Sequence, residues 1–132
     1  MQLEPYLFFH GNAEEALTFY CDVFGGEITA LNRYEGSPME AEVDDKRQVM
    51  HASFRAPGVA FMAADSSRHN AQTGNISMSL GSSDVAESQR VFDKLAQGGT
   101  VTMPFGETFW GAKFGMLTDR FGIDWMVNCA AD

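Results

Sequence analysis

Two titratable residues, His51 and Glu107, occupy positions that suit acid–base chemistry or ligand binding. His51 lies in the alternating segment at residues 48–55, which predicts a strand with two different faces. A neutral imidazole both donates and accepts hydrogen bonds, so His51 suits a small polar ligand as well as proton transfer. The alternative is a structural histidine that hydrogen-bonds a neighbouring strand or loop.

Glu107 belongs to a glycine-flanked segment that also contains Phe109 and Trp110. This composition is typical of a pocket wall or lid, in which the indole supplies a flat apolar surface and the carboxylate accepts a hydrogen bond or a proton. The alternative is that Trp110 fills the core, while Glu107 pairs with an arginine or a backbone N–H.

The other predicted ligand contacts are uncharged residues of strands. They are Leu7, Phe9, Ser53, Met62, Asn75, Ser77 and Met126. Leu7, Phe9 and Met62 would be apolar lining, although residues of this kind are more often part of the core. The hydroxyls of Ser53 and Ser77 offer hydrogen bonds.

Composition excludes several classes of partner. The chain has 132 residues and a net charge of −9, with no Lys/Arg cluster, so nucleic acids and anionic membranes are not expected partners. No apolar stretch approaches the ~18–20 residues of a membrane span. The two cysteines match neither a zinc pattern nor a redox pair, and no signal segment is visible. We therefore expect a cytoplasmic protein.

The sequence carries the same pattern twice. Asn12 and Glu15 open one helical stretch, and Asp84 and Glu87 open another 72 positions later. One apolar strand precedes each helix and about three follow it. The pattern predicts two tandem βαβββ modules, at about residues 2–64 and 75–129, within a single α+β domain that spans residues 1–132.

Several local expectations follow from this map. Asn12 is predicted to cap the first helix, whose buried stripe repeats every 3.6 residues, and Asp84 is predicted to cap the second. In the strand around His51, Met50 is predicted to share a face with Ala52 and Phe54. Residues 104–111 are predicted to form a loop. The predicted buried stripe of the first helix consists of Ala13, Ala16, Leu17, Tyr20 and Val23.

Three segments resemble a known family: PYLFFHGN at residues 5–12, VMHASF at 49–54, and GETFWGAKFGMLTDRFGIDWMVN at 106–128. They resemble the PhnB-like group of the vicinal oxygen chelate superfamily, which includes glyoxalase I, extradiol dioxygenases and bleomycin-resistance proteins. The resemblance implies two modules that form a cupped sheet, with helices outside and the ligand cavity inside. It also implies a homodimer.

Metal-dependent members of the superfamily use four ligands on four strands. The corresponding positions of this chain are Pro5, Met62, Asn75 and Met126. Proline offers no donor side chain, and a thioether is a poor ligand for hard or borderline divalent ions. His10 is expected to be solvated at a strand end, and His69 to be exposed in a loop. We therefore predict no metal and no cofactor, and neither glyoxalase nor dioxygenase chemistry.

The functional prediction is a protein that binds a small organic molecule in a metal-free pocket, as bleomycin-resistance proteins do. The alternative is a lyase- or isomerase-type enzyme that uses His51 and Glu107, or a metal site that we did not recognise. A third reading is an accessory partner without a ligand. Members of the group often carry the label of a demethylubiquinone methyltransferase, but the chain contains no nucleotide-type cradle for S-adenosylmethionine.

Overall fold

The computed structural model describes residues 1–66, 76–109 and 111–130. Three residues named above, His69, Asn75 and Trp110, lie outside this part of the chain. The chain divides into two compact units, residues 1–71 and 72–132. The prediction that both units form one domain stays a prediction.

The first unit contains one four-stranded sheet and one long helix. Its elements are β1 (Tyr6–Phe9), α1 (Ala13–Phe24), β2 (Glu27–Arg33), a 3₁₀ turn (Glu40–Glu42), β3 (Val49–Ala56) and β4 (Val59–Asp65). The strand order is β1-β4-β3-β2, in which β1 and β4 are parallel and the other pairs are antiparallel.

The second unit repeats this architecture. Its elements are β5 (Met78–Ser82), α2 (Val85–Leu95), β6 (Thr100–Glu107), β7 (Lys113–Thr118) and β8 (Asp124–Cys129). The strand order β5-β8-β7-β6 matches that of the first unit, again with one parallel pair, β5 and β8. The predicted pair of βαβββ modules is therefore confirmed.

Helix α1 packs its apolar stripe against one face of the first sheet. All five residues predicted for this stripe are fully buried. The Tyr20 ring meets Phe61 of β4 edge-on at 5.7 Å, and Phe24 meets Phe54 of β3 at 6.2 Å. These contacts identify the face of the sheet that α1 covers.

The predicted cap of α1 is wrong. The Asn12 side chain makes no capping hydrogen bond and instead accepts the N–H of His10 at 3.3 Å. The cap comes from Asp65, at the end of β4, whose Oδ1 accepts the N–H groups of Gly11 at 2.8 Å and Ala13 at 2.9 Å. A carboxylate at this position satisfies free amides and complements the helix dipole. Local sequence reasoning missed it because the acceptor is distant along the chain.

The predicted faces of β3 are correct only in part. Ala52 and Phe54 are fully buried, but the residue that continues the buried face is Val49, not Met50. The β2–β3 ladder is irregular here: Asn32 pairs with His51, and Arg33 pairs with Val49. The ladder therefore skips Met50. This bulge shifts the alternation of buried and exposed residues by one position on the N-terminal side of His51.

Helix α2 packs against the second sheet through Val91, Phe92 and Leu95, and Asp84 caps it as predicted by accepting the Glu87 N–H at 3.1 Å. The Phe92 ring lies 5.6 Å from that of Phe105 on β6. A Cβ at Gly115 would lie 2.7 Å from the Phe92 ring, so this strand position requires glycine.

Strand β6 extends to Glu107, although a loop was predicted from Pro104 onward. Proline is tolerated because β6 is an edge strand of its sheet, where one side of the backbone needs no donor. The ladder shifts register between Met103 and Gly106, around Pro104. Glu107 is therefore the last residue of a strand rather than part of a free loop.

Asp119 organises the turn between β7 and β8. Its Oδ1 accepts the N–H groups of Phe121 at 2.9 Å and Ile123 at 3.0 Å, and its Oδ2 accepts the indole N–H of Trp125 at 2.8 Å. Asp119 is 3% exposed, and these three donors satisfy its buried carboxylate.

Neither helix in the described ranges has the length and apolarity that crossing a bilayer requires.

Candidate functional site

The face of the first sheet that points away from α1 carries His51. Alternation along β3 places His51 and Ser53 opposite the buried Ala52 and Phe54. Register then places Met62 of β4 beside Ser53, and Tyr6 of β1 beside Met62. We call this surface, formed by Tyr6, Phe8, Asn32, His51, Ser53 and Met62, the far face.

Tyr6 and His51 form a hydrogen-bonded pair on the far face. The Tyr6 Oη lies 3.0 Å from Nδ1 of His51, and the two ring centroids are 5.7 Å apart. Strand β4 separates β1 from β3, so the tyrosine side chain crosses it to reach the histidine. Ala64 of β4 pairs with Phe8, and its small side chain leaves room for the tyrosine to cross.

The surroundings of the pair are partly apolar. The Phe8 ring stacks on that of Tyr6 at 4.9 Å between centroids, and Phe8 is 38% exposed. Burial raises the pKa of the Tyr6 phenol above its usual value, and the neighbouring Tyr34 phenol raises it further. Tyr6 therefore keeps its proton at neutral pH. The pair offers polar groups at the edge of an apolar surface, as ligand sites commonly do.

Two predicted ligand contacts, Leu7 and Phe9, are not part of the far face. Leu7 pairs with Ala63, and Phe9 pairs with Asp65, on the side of the sheet that α1 covers. They are 8% and 2% exposed and belong to the core. This burial argues against the predicted ligand contacts. The sequence did not set the phase of β1, because Tyr6 and Phe8, which alternate with Leu7 and Phe9, are aromatic too.

In the second unit, Glu107 lines a cavity of about 420 Å³. Lys113, its partner on the β6–β7 ladder, lines the same cavity, so a carboxylate and an ammonium group share one rim. The remaining lining residues are Val85, Thr108, Gly111, Ala112, Cys129 and Ala130. Phe109 is 97% exposed and is not among the lining residues. Of the residues predicted to form a pocket wall, Glu107 lines this cavity and Phe109 does not, while Trp110 lies outside the described residues.

Met126 lies on the face of the second sheet that points away from α2. Its neighbours on the strands next to it are Ser79 of β5 and Met116 of β7, and Met103 of β6 continues the row. Thioether side chains make an adaptable apolar surface. Ser77, a predicted hydroxyl contact, is exposed and lies just before β5.

The ladders show which side chains lie beside the positions that the resemblance assigns to metal ligands. Pro5 contributes only its carbonyl oxygen, which accepts the Met62 N–H at 3.0 Å, and the side chain beside Met62 is that of Tyr6. In the second sheet, the side chain beside Met126 is that of Ser79. Phenol, hydroxyl and thioether groups do not fit a divalent cation that prefers imidazole and carboxylate. Within residues 1–66, 76–109 and 111–130, no three His, Cys, Asp or Glu side chains cluster as metal ligands do.

Sequence reasoning missed Tyr6, Phe8 and Asn32 as members of the far face. Alternation along β1 could have indicated Tyr6 and Phe8, because every second residue of a strand points to the same face. Only the register of β1 on β4 shows that this face is the one that carries Met62. Asn32 becomes visible only through the irregular β2–β3 ladder that pairs it with His51. Each of these assignments needs the pairing of strands, which no local pattern supplies.

The repeated module defines the class of protein. A glyoxalase/bleomycin resistance/dioxygenase domain from Frankia superposes with a TM-score of 0.69 over 98% of this chain and 97% of that one. At 12% identity, this likeness shows the fold alone. The chain therefore has the fold of the vicinal oxygen chelate superfamily.

Within that class, a family model described as 3-demethylubiquinone-9 3-methyltransferase matches residues 1–128, and the chain belongs to this family. Protein YjdN of Escherichia coli is 34% identical, over 97% of this chain and 95% of YjdN. Protein PA1353 of Pseudomonas aeruginosa is 42% identical with a TM-score of 0.89, and covers 100% of this chain and 99% of its own. The PhnB protein of Bacillus cereus is 33% identical with a TM-score of 0.84, at 98% and 100% coverage.

Proposed function

We propose that the chain binds a small organic ligand on the far face, without a metal ion or other cofactor. The observation that carries this proposal is the Tyr6–His51 pair, with Oη 3.0 Å from Nδ1 on a half-buried, partly aromatic surface. A polar pair beside apolar side chains is poorly suited to plain solvent contact. It is well suited to orienting a small molecule that stacks on an aromatic ring.

The far face supplies the three kinds of contact that such a ligand needs. Phe8 and Met62 offer apolar surface, and the imidazole of His51 offers a directional hydrogen bond. Ser53 and Asn32 add a hydroxyl and an amide on neighbouring strands. In this proposal Tyr6 and Phe8 take the lining role first assigned to Leu7 and Phe9.

We also propose that the protein is a homodimer and that it is cytoplasmic. Both properties remain predictions. We do not propose methyl transfer, although this activity is named in the family's description and in the label of some relatives. The prediction that S-adenosylmethionine is not a ligand rests on the absence of a glycine-rich nucleotide cradle in the sequence. Isothermal titration calorimetry with S-adenosylmethionine tests it directly. Saturable binding heat at micromolar S-adenosylmethionine would favour a methyltransferase over the proposed binding protein.

A second candidate function is acid–base catalysis of a lyase or isomerase type. It is favoured by the same hydrogen bond, because a phenol paired with an imidazole can relay a proton to or from a bound substrate. Glu107 was predicted to share this work, and its place beside Lys113 in a cavity keeps it a candidate. Joint action of His51 and Glu107 remains a prediction.

A thermal-shift screen of metabolites and antibiotics tests ligand binding, with His51→Ala and Tyr6→Phe as site variants. His10→Ala is the matched control, because His10 is exposed and lies just beyond the end of β1. A ligand at a hundred times its Kd adds about 2.7 kcal/mol to stability. We expect a hit whose shift is lost in both site variants and kept in the control.

Two other results are informative in opposite directions. A hit that shifts all variants equally places the ligand elsewhere and refutes the far face as the site. Conversion of a hit over time, followed by mass spectrometry and abolished in His51→Ala, favours the enzyme over the binding protein.

A further inference from the structure

We infer that Tyr6 is a positioning residue that holds His51 in one neutral tautomer, so that Nε2–H points to the ligand and selects molecules with an uncharged oxygen acceptor. This inference rests on the proposed function for the identity of the site, but the tautomer itself can be measured without any ligand.

The hydrogen bond runs from Tyr6 to His51. A phenol hydroxyl is a good donor but a weak acceptor, since its lone pairs are delocalised into the ring, whereas the bare nitrogen of a neutral imidazole is a strong acceptor. In the described part of the chain, the Tyr6 hydroxyl has no acceptor besides Nδ1 of His51. Reversing the bond would leave the tyrosine proton without an acceptor among the described residues. The favoured arrangement is Oη–H donating to Nδ1 at 3.0 Å.

Accepting at Nδ1 fixes the proton of the neutral ring on Nε2. No hydrogen bond to Nε2 occurs among residues 1–66, 76–109 and 111–130. His51 therefore presents one N–H donor on the far face. Tyr6 keeps its own proton in this arrangement, because its burial disfavours the phenolate.

A fixed donor beside aromatic and thioether surface selects a class of ligand. The ligand must bring a hydrogen-bond acceptor, such as a ketone, amide or ester oxygen, attached to an apolar or aromatic body. The net charge of −9 disfavours an anionic acceptor, since the chain repels carboxylates and phosphates at long range. Molecules that can only donate a hydrogen bond at this point leave Nε2–H unpaired and bind less well.

The tautomer is tested by two-bond ¹H–¹⁵N NMR spectra of the imidazole rings, with His51 assigned by comparison with His51→Gln. We expect wild-type His51 to be almost entirely the Nε2–H tautomer at a pH where the ring is neutral. In Tyr6→Phe, which keeps the ring and the Phe8 stack, we expect a mixture of both tautomers. A wild-type Nδ1–H tautomer, or an unchanged tautomer in Tyr6→Phe, overturns the inference.

The ligand class is tested with two matched probes, acetophenone and ethylbenzene, which differ in the carbonyl oxygen. We expect acetophenone to perturb the His51 Nε2–H signals saturably, and ethylbenzene to leave them unchanged. Equal perturbation by both probes, or by neither, overturns the ligand class. The screen with antibiotics and metabolites then decides separately whether the far face binds any ligand at all.

A double-mutant cycle separates positioning from direct contact. Tyr6→Phe should weaken acetophenone binding about fivefold in the wild-type background, the value of one ordinary hydrogen bond. In a His51→Gln background, the side-chain amide offers its N–H without help from Tyr6, so Tyr6→Phe should have almost no effect. Equal losses in the two backgrounds would mean that the tyrosine touches the ligand itself, and would refute the positioning role.

Discussion

Oδ1 of Asp65 accepts the N–H of Ala13 at 2.9 Å, so a carboxylate at the end of β4 caps a helix that begins 52 residues earlier. The same side chain accepts the Val49 N–H through Oδ2 at 2.9 Å and is 2% exposed. One buried carboxylate thus ties α1, β3 and β4 together beneath the far face.

Replacement of Asp65 by asparagine should destabilise the fold strongly. The amide has one acceptor oxygen instead of two, and its NH₂ group would face a backbone donor, either Val49 N–H or the pair at Gly11 and Ala13. We expect the free energy of unfolding to fall by about 2–3 kcal/mol, as measured by urea denaturation. Asp44→Asn, at an exposed position, is the control and should change it by less than about 0.5 kcal/mol.

The two helix starts should respond differently to loss of their local cap residue. Asp84 caps α2 through the Glu87 N–H, so Asp84→Ala should cost about 1 kcal/mol. Asn12 makes no capping bond at α1, so Asn12→Ala should cost less than about 0.5 kcal/mol. Chemical denaturation of both variants measures the difference, and equal losses would mean that Asn12 caps its helix in solution.

Removal of the Ser88 hydroxyl should not destabilise the protein. Ser88 lies on the sheet-facing side of α2 with 3% exposure, and its Oγ is buried without a hydrogen-bond partner in the described part of the chain. Ser88→Ala removes an unsatisfied polar atom and adds helix propensity, so we expect a gain of up to about 1 kcal/mol in thermal or urea unfolding. The exposed Ser83→Ala is the control. A loss in Ser88→Ala alone would reveal a partner for the hydroxyl.

Tyr6 should give the protein a pH-dependent loss of stability in alkali. Burial raises its folded pKa above that of the unfolded chain, which is about 10. Below that unfolded value both states hold the proton and the contribution is complete. As the pH rises towards the folded pKa, the unfolded state releases the proton first and stability falls. Tyr6→Phe should flatten this slope between about pH 9 and pH 11 in a series of urea melts. An unchanged slope would contradict a buried, protonated phenol.

Divalent metal ions should form no stoichiometric complex at the positions used elsewhere in the superfamily. The resemblance assigns those positions to Pro5, Met62, Asn75 and Met126, whose side chains are poor ligands for such ions. Titration with Zn²⁺ or Ni²⁺, followed by calorimetry, should show only weak binding that His10→Gln reduces. A one-to-one complex that survives this control and is lost in Met62→Ala would overturn the metal-free proposal.

Much of the architecture was predictable because it depends on local periodicity. The stripe of α1 from Ala13 to Val23 follows the 3.6-residue period, and all its members are buried. The N-cap of α2 by Asp84 was also predictable, because the capping side chain and the helix are adjacent in the sequence. The repeat, the order of helices and strands along the chain and the family were all predictable from the sequence.

The site was predictable only in part. The alternation of β3 correctly separates His51 from Ala52 and Phe54, since a strand must point successive side chains to opposite faces. The same reasoning failed at Val49, where the ladder skips a residue. Leu7 and Phe9 were assigned to the wrong face because the aromatic run in β1 has no polar partner to set its phase.

The sequence by itself determined two βαβββ modules, because hydrophobic period and helix-ending glycines act over a few residues. Only the tertiary structure decided that Asp65 caps α1 and that Tyr6 meets His51. These contacts join residues 52 and 45 positions apart, and their partners are chosen by strand register. Register is a property of paired backbones, and it sets which side chains share a face.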